Sequence, residues 1–323
     1  MVNRPPAVSV AIRAHRRRWL GEAIASVLAQ SWRDLELVVY DDAGDLHDVA
    51  ARTGDSRLRY IRAKGKLEAS GRFNAAVTLC RGTYIGVLDD DDRYDPLFVE
   101  RLVGALEEAP RAGAAFCQVL YDAGGVRFER PIPGPAGPQH DVARRVLSER
   151  FAVPSAMLMR RTALDAAEAF QPMPDGVAPD VFVNYRMAMT GWEHVLVDEL
   201  LVVRREHADQ VTNSSNGADY AIATLQRLKV DDREHDSVRR RSLAVRLIVR
   251  AAQHVLAGRR QEARADLRAA SAAAPSADRL RHHLTGLAAR SSLGPYAARL
   301  ARAVRRLLIT RRGWRGAAPP RRR

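Results

Sequence analysis

The sequence predicts an α/β protein, a mostly parallel sheet flanked by helices, followed by an α-helical C-terminal extension. Three observations lead there. Short apolar, β-rich runs alternate with stretches of helical periodicity up to about residue 205, the order expected of a parallel sheet covered by helices. Two of those runs end directly in aspartates, at Asp41 and at Asp89. From Ala218 onward the chain is dominated by Ala, Leu and Arg at helical spacing.

Taken in order, Val8 to Ile12 reads as a strand and Trp19 to Gln30 as a helix with Leu20, Ile24, Val27 and Leu28 on one face. Leu35 to Tyr40 and Leu58 to Ile61 are further strands, Gly71 to Cys80 is a helix, and Tyr84 to Leu88 is an apolar strand running into four aspartates. Pro96 to Leu106 is expected to be helical. Pro131 to Pro138 (PIPGPAGP) is too rich in Pro and Gly for helix or strand and reads as a mobile loop. Ser155 to Arg160, Trp192 to Val197 and Leu200 to Arg204 read as strands around a helix from Asp180 to Met189. The polar cluster Thr212 to Gly217 closes this part, so we divide the chain into a sheet-containing domain, 1–217, and a helical region, 218–323.

With 323 residues, 46% hydrophobic and 28% charged, the chain can bury one or two real cores, which excludes a disordered protein. The only cysteines, Cys80 and Cys117, lack a histidine at metal-ligand spacing, which argues against a disulfide scaffold or a zinc site. In the first twenty residues the apolar run precedes its arginines, inverting a secretory signal. No run reaches the roughly 18 apolar residues of a spanning helix, so a cytoplasmic protein is expected.

In such a sheet ligands bind beyond the carboxyl ends of the strands, which directs attention to Arg13, Asp41 and Asp89. Four adjacent carboxylates, Asp89 to Asp92, repel one another unless a cation neutralises them, and Mg²⁺ or Mn²⁺ suits an oxygen-only donor set. The alternative is a solvated acidic turn or an N-cap for the following helix. Asp41-Asp42 at the other strand end can accept hydrogen bonds from a nucleotide's base or ribose, or can simply cap a loop.

These segments resemble a known family. VSVAIRAHRRRWLGEAIASVLAQSWRDLELVVYDDAGD looks like the opening of a family 2 glycosyltransferase of the GT-A fold, and GRFNAAVTLCRGTYIGVLDDDDRYDP like its segment ending in the aspartate metal motif. PDVFVNYRMAMTG is similar to that family's EDxxxxxRxxxxG helix, and VVRREHADQVT to its RxHxxQxS-type close. The resemblance spans residues 8 to 213. It implies an inverting glycosyltransferase that uses a nucleotide-sugar donor, a UDP-sugar by expectation, and a hydroxyl acceptor that is a glycan or lipid-linked glycan of cell-surface synthesis. Residue by residue, it implies that Asp42 and His15 lie at the base, with Arg13, Arg72, Asn74, Asp89 and Asp90 also on the nucleotide-sugar. Asp91 and His207 would be at the metal, Mg²⁺ or Mn²⁺, with Arg204 near the diphosphate, and Asp180 would be the catalytic base. The chain departs from the family at Pro179, where a Glu is usual, and at Arg13, His15-Arg16 and Phe73. A nucleotidyltransferase, or a non-catalytic nucleotide-sugar-binding or membrane scaffold protein, is the alternative; the Gly-rich basic loop of the former is absent after the first strand.

The formal charge of +14 is unevenly placed. Residues 221–323 hold 25 Lys+Arg and 7 Asp+Glu, leaving 27 and 31 before them, so a mildly acidic domain precedes a strongly basic tail. Leu293, Ala297, Leu300, Val304 and Leu307 recur at helical spacing with arginines on other faces, as in a basic amphipathic helix. With Trp314 and Arg321 to Arg323 it is expected to contact an anionic membrane surface, making the protein peripheral. Residues 240–274, broken at Gly258 to Ala263, are expected to pack as a helical hairpin. A nucleic-acid partner is not expected, because no binding module or aromatic interleaving accompanies the arginines.

Overall fold

The computed structural model describes residues 5–274 apart from 16, 64, 66, 68, 149, 150, 152, 175 and 208–214. The amphipathic tail expected at residues 293–323 therefore lies outside the described residues. Two compact units divide between Lys229 and Val230, later than the composition change at residue 217.

The first unit runs β1 (Val8–Ala14), α1 (Arg17–Leu28), β2 (Leu35–Asp41), α2 (His47–Ala51), β3 (Leu58–Arg62), α3 (Ala69–Leu79), β4 (Tyr84–Asp89) and β5 (Arg93–Tyr94). It continues α4 (Phe98–Glu108), β6 (Ala112–Ala123), β7 (Val126–Glu129), β8 (Gly137–Gln139), α5 (Val142–Ser148), a 3-10 turn (Pro154–Ala156), β9 (Met157–Arg160), α6 (Arg161–Ala166), α7 (Pro179–Met189), β10 (Glu193–Arg205) and α8 (Ser215–Arg227). One sheet has the order β3-β2-β1-β4-β9-β6-β10-β5, with β7 beside β6 and β8 beside β10. Strands β3, β2, β1 and β4 are mutually parallel, as are β6 and β10, while β9 is antiparallel to both β4 and β6. The βαβ order of the first 89 residues thus yields a parallel half-sheet, and β9 joins it to the second half.

The strands are apolar because both faces are covered. Val8, Val10 and Ile12 join Leu35, Leu37 and Val39 in one cluster with Leu20, Ile24 and Val27 of α1 and Phe98, Leu102 and Leu106 of α4. Spacings of four and three put the α1 residues on one helical face, and each such buried side chain contributes about 1.5–3 kcal/mol. On the other side α3 packs against β1, β2 and β4 and buries Phe73, Ala76 and Val77. At the amino ends of β1 and β2, buried Glu36 accepts hydrogen bonds from Ser9 Oγ, Arg81 N and Arg59 Nη1, each at 2.7 Å. Burial alone would raise the Glu36 pKa, but these donors outweigh it and lower it. Gly82 makes this junction possible: a Cβ there would lie 2.6 Å from Ser9 N.

Three sequence expectations change. PIPGPAGP is not wholly loop, because Gly137 and Pro138 enter β8 and pair antiparallel with Leu196 and Val195; a peripheral strand with few ladder bonds tolerates proline's missing donor. The expected strands 192–197 and 200–204 are one strand, β10, with register shifts between Val197 and Val202. The long strand β6 was not anticipated, since its opening AGAAFC has little β propensity. Its small residues are needed nonetheless: a Cβ on Gly113 would lie 2.7 Å from Ala163 and 2.8 Å from Met187 Sδ.

The second unit's described part is a hairpin of α9 (Arg233–Leu256) and α10 (Arg260–Ala273), turning through Gly258 at φ 76°. Arg250 grips Asp266 through Nε (2.9 Å) and Nη2 (2.7 Å), and Arg240 Nε donates to the carbonyl of Ala273 at 3.0 Å, closing the end of α10. Among the described residues, no helix is long and apolar enough to cross a membrane.

Candidate active site

The carboxyl ends of β1, β2 and β4 lie side by side, with Arg13 in register with both Tyr40 and Asp89. The Asp41-Asp42 pair splits there into two different environments. Asp41 is fully buried and turned into its own loop, accepting from Gly44 N (2.7 Å), Leu46 N (3.0 Å) and the Tyr60 hydroxyl. Burial would raise its pKa, yet these donors hold it below the usual carboxylate range, and in return burial and Asp41 push the Tyr60 hydroxyl up to about 12. Asp42 instead meets His15 Nδ1 at Oδ1 (3.1 Å) and Arg72 Nη1 at Oδ2 (2.9 Å). Asp41 shapes the turn, and Asp42 is presented with two basic partners.

The four aspartates after β4 also diverge. Asp89 pairs with Arg13, and its N–H donates to Ser155 Oγ at 3.2 Å. Asp90 turns toward β1, where its Oδ2 accepts His15 N–H at 2.6 Å. Asp91 Oδ2 lies 2.9 Å from His207 Nε2, and Asp92 Oδ1 accepts Arg205 N–H at 3.2 Å. One oxygen from each of Asp89, Asp91 and Asp92 lies within 4.8 Å of the others, a donor set of hard oxygens suited to a divalent cation. Asp92 is 1% exposed; burial, then the charges of Asp91 and Asp89, push its carboxyl well above the usual range. The N-cap alternative does not hold, because α4 begins after Leu97, whose N–H is taken by Asp95 Oδ1 at 2.9 Å.

Arg204, 9% exposed at the end of β10, lies over the Tyr121 ring at 5.9 Å. Burial works against its charge, but Asp92 and Tyr121 outweigh this and raise its pKa. Asp180 is the second residue of α7, whose N-cap is Ala178 with no side-chain cap bond, so Asp180 is not the cap. One turn along, Asn184 Nδ2 donates to the Asp180 carbonyl (2.7 Å) and meets Met157 Sδ (3.4 Å), two residues from the Ser155 that binds Asp89 N. His194, fully buried, holds Asn184 Oδ1 at 2.8 Å. The Asn184 amide is spent as a donor, so His194 Nε2 carries the proton and its Nδ1 is bare, with no hydrogen-bond partner among the described residues. Burial accordingly lowers the His194 pKa to about 3.

The structure thus pairs the expected residues in three groups, Arg13 with Asp89, His15 with Asp42 and Asp90 and Asp42 in turn with Arg72, and Asp91 with His207, the first and third joined through the acidic triad. Asn74 is not part of it: its amide clamps the carbonyls of Ala169 (2.8 Å) and Gln171 (2.9 Å), in the loop that leads to α7. Sequence reasoning missed Asp92 as a member of the acidic triad; the run of four gave the signal, but which three converge depends on the turn. It also missed Arg205, whose Nη1 donates to the Asp91 carbonyl at 3.1 Å and whose Nη2 pairs with Glu22.

A parallel half-sheet with one carboxylate at the β2 exit and an acidic turn at the β4 exit is the architecture of a GT-A glycosyltransferase fold. Along 95% of its length the chain overlays S. aureus TarS 1–349 in complex with UDP-GlcNAc, at TM-score 0.67 and 13% identity, covering 93% of that chain. It overlays mannosyltransferase PcManGT from Pyrobaculum calidifontis in complex with GDP-Man and Mn²⁺ at TM-score 0.57 and 16% identity, over 96% of this chain and 89% of that one. Residues 9–167 match the family described as Glycosyl transferase family 2, and this stretch is a domain of that family.

Similar sequences include putative glycosyltransferase EpsE of Bacillus subtilis (strain 168), 32% identical over 140 residues, 41% of this chain and 50% of that protein. Putative colanic acid biosynthesis glycosyl transferase WcaA of Escherichia coli (strain K12) is 25% identical over 150 residues, 45% and 53% respectively. Chondroitin synthase of Escherichia coli is 37% identical over 105 residues, 31% and 15%. The matched stretches span about half or less of these relatives' lengths.

Proposed function

We propose that the protein is an inverting glycosyltransferase that moves a sugar from a nucleoside-diphosphate sugar to a hydroxyl acceptor. The observation that carries this reading is the adjacency, at the carboxyl ends of β2 and β4, of a basic-flanked carboxylate, Asp42, and a converging acidic triad. A UDP-sugar is the expected donor, in keeping with the UDP-GlcNAc held by the TarS structure, although PcManGT holds GDP-Man.

In this reading Asp42 receives the base, with His15 and Arg72 fixing its carboxylate, while Arg13 holds Asp89 and His15 N–H holds Asp90. Asp89, Asp91 and Asp92 would hold Mg²⁺ or Mn²⁺, with His207 setting the Asp91 carboxylate; the pair expected from sequence was Asp91 and His207, to which Asp89 and Asp92 are added here. When bound, the cation neutralises the leaving diphosphate. Asp180, near the start of α7, takes the proton from the acceptor hydroxyl as it attacks the anomeric carbon from the face opposite the departing diphosphate. One displacement inverts that carbon, and one base suffices because the leaving group departs as an anion. Relatives named for colanic acid biosynthesis and chondroitin synthesis favour a surface polysaccharide or glycolipid acceptor. We place the enzyme on the cytoplasmic face of an anionic membrane through the basic tail.

The test is donor turnover with Mn²⁺ across a panel of nucleotide-sugars. Asp180→Asn should keep donor binding and lose transfer, and Asp91→Ala should lose metal-dependent donor binding. Unchanged transfer in Asp180→Asn removes the base assignment, and no turnover with any donor removes the enzyme reading.

A further inference from the structure

The geometry points to Trp19 as the positioning residue that holds His207 on Asp91, and so ties the first turn of α1 to the acidic turn. This rests on the reading of Asp91 given above. The half-buried Trp19 ring lies against the His207 imidazole, centroids 4.6 Å apart and planes inclined by 39°. On its other side His207 meets Asp91 through Nε2 at 2.9 Å. A single hydrogen bond at Nε2 resists rotation about χ2 only as far as that bond can stretch and bend, and a ring packed against the imidazole narrows the rotation further.

Trp19 is itself held. The guanidinium of Arg18 lies 4.6 Å and that of Arg205 5.5 Å from its centroid, both within cation–π range. Arg205 continues to the Asp91 carbonyl and to Glu22, one turn beyond Trp19 on α1. Between Arg13 and Glu22 the chain therefore reaches every carboxylate proposed for the donor except Asp92. Arg13 takes Asp89, His15 takes Asp42 and Asp90, and Trp19 reaches Asp91 through His207. Asp92 is held by Arg205, which also lies on Trp19. Groups that orient a ligating side chain from behind change metal affinity by about 10–100-fold when removed.

Trp19→Leu, which keeps apolar bulk without a ring, and Trp19→Phe, which keeps a ring, are compared with the full-length protein, using thermal melts as a folding control. Mn²⁺ binding in the presence of UDP is measured by the electron paramagnetic resonance of the free ion, and UDP binding is measured in EDTA. The His207 imidazole resonances, assigned with His207→Asn, are followed without metal. We expect Trp19→Leu to weaken Mn²⁺ about ten-fold, to leave UDP binding in EDTA and the melt unchanged, and to remove the upfield ring-current shift of His207. Trp19→Phe should stay within about three-fold of the parent. Unmoved His207 resonances in Trp19→Leu overturn the inference, as do unchanged Mn²⁺ affinity in that variant or equal losses in both variants. A parent that binds no Mn²⁺ refutes the metal reading instead, and the His207 resonances then decide Trp19's role alone.

Discussion

His194 makes the folded protein sensitive to mild acid, and the size of the effect follows from its surroundings. The ring is fully buried, edge-on to Phe151 with centroids 5.6 Å apart, and donates through Nε2 to Asn184, leaving Nδ1 bare. A proton on Nδ1 would place an unpartnered cation in the core, which is why the pKa falls from 6.5 to about 3. The folded value lies below the unfolded one, so between pH 6.5 and 3 the unfolded chain binds more protons and stability falls as pH falls, by about 1.4 kcal/mol per pH unit. From pH 7.5 to 5.0 this amounts to about 2 kcal/mol. Asp92 acts in the opposite direction, because its raised pKa lets the folded state take up a proton as pH falls. The relevant quantity is therefore the difference between the parent and His194→Gln, in which Asp92 cancels. Urea unfolding followed by tryptophan fluorescence suits the assay, since Trp19, Trp32 and Trp192 lie in the first unit. The parent should lose about 2 kcal/mol more than His194→Gln between these pH values, whatever the fixed cost of the substitution. Parallel losses in the two proteins would refute the burial argument and the tautomer with it.

Asp41→Ala and Asp42→Ala should separate the two neighbours. The first removes the acceptor for Gly44, Leu46 and Tyr60 and is expected to cost about 2–4 kcal/mol in unfolding experiments, whereas the second should spare stability and weaken UDP binding by calorimetry. Gly82→Ala drives a methyl group to 2.6 Å from Ser9 N and is expected to lower stability by about 1–3 kcal/mol; an unchanged melting temperature would mean the junction is looser than described. The Glu36 pKa is lowered, so its stabilisation is complete above its ordinary value of 4.5 and disappears as pH falls through the folded value; Glu36→Gln should flatten acid unfolding below pH 4.5. Liposome flotation should show that a chain ending at Ser291 loses binding to anionic vesicles, and equal binding by the shortened chain would dismiss the membrane role of the tail.

From the sequence alone, β1, β2 and β4 were legible, because strands covered on both faces are continuous apolar runs. So were the acidic clusters at their ends, the helix carrying Asp180 and the hairpin around Gly258, whose periodicities are local. Strand β6 was hidden, since its small residues answer to packing by α6 and α7 rather than to β propensity. The division of labour within each acidic run was equally out of reach. Asp41 and Asp42, or Asp90 and Asp91, look alike in local pattern and are told apart by their partners, including ones brought from far along the chain: Tyr60 for Asp41, Arg72 for Asp42, His15 for Asp90 and His207 for Asp91. Sequence placed carboxylates at the strand ends. Which of them shapes a turn, meets a basic partner or joins the triad was decided by the tertiary structure, because the pairing of a carboxylate depends on which distant donors the sheet and its helices bring within hydrogen-bonding reach.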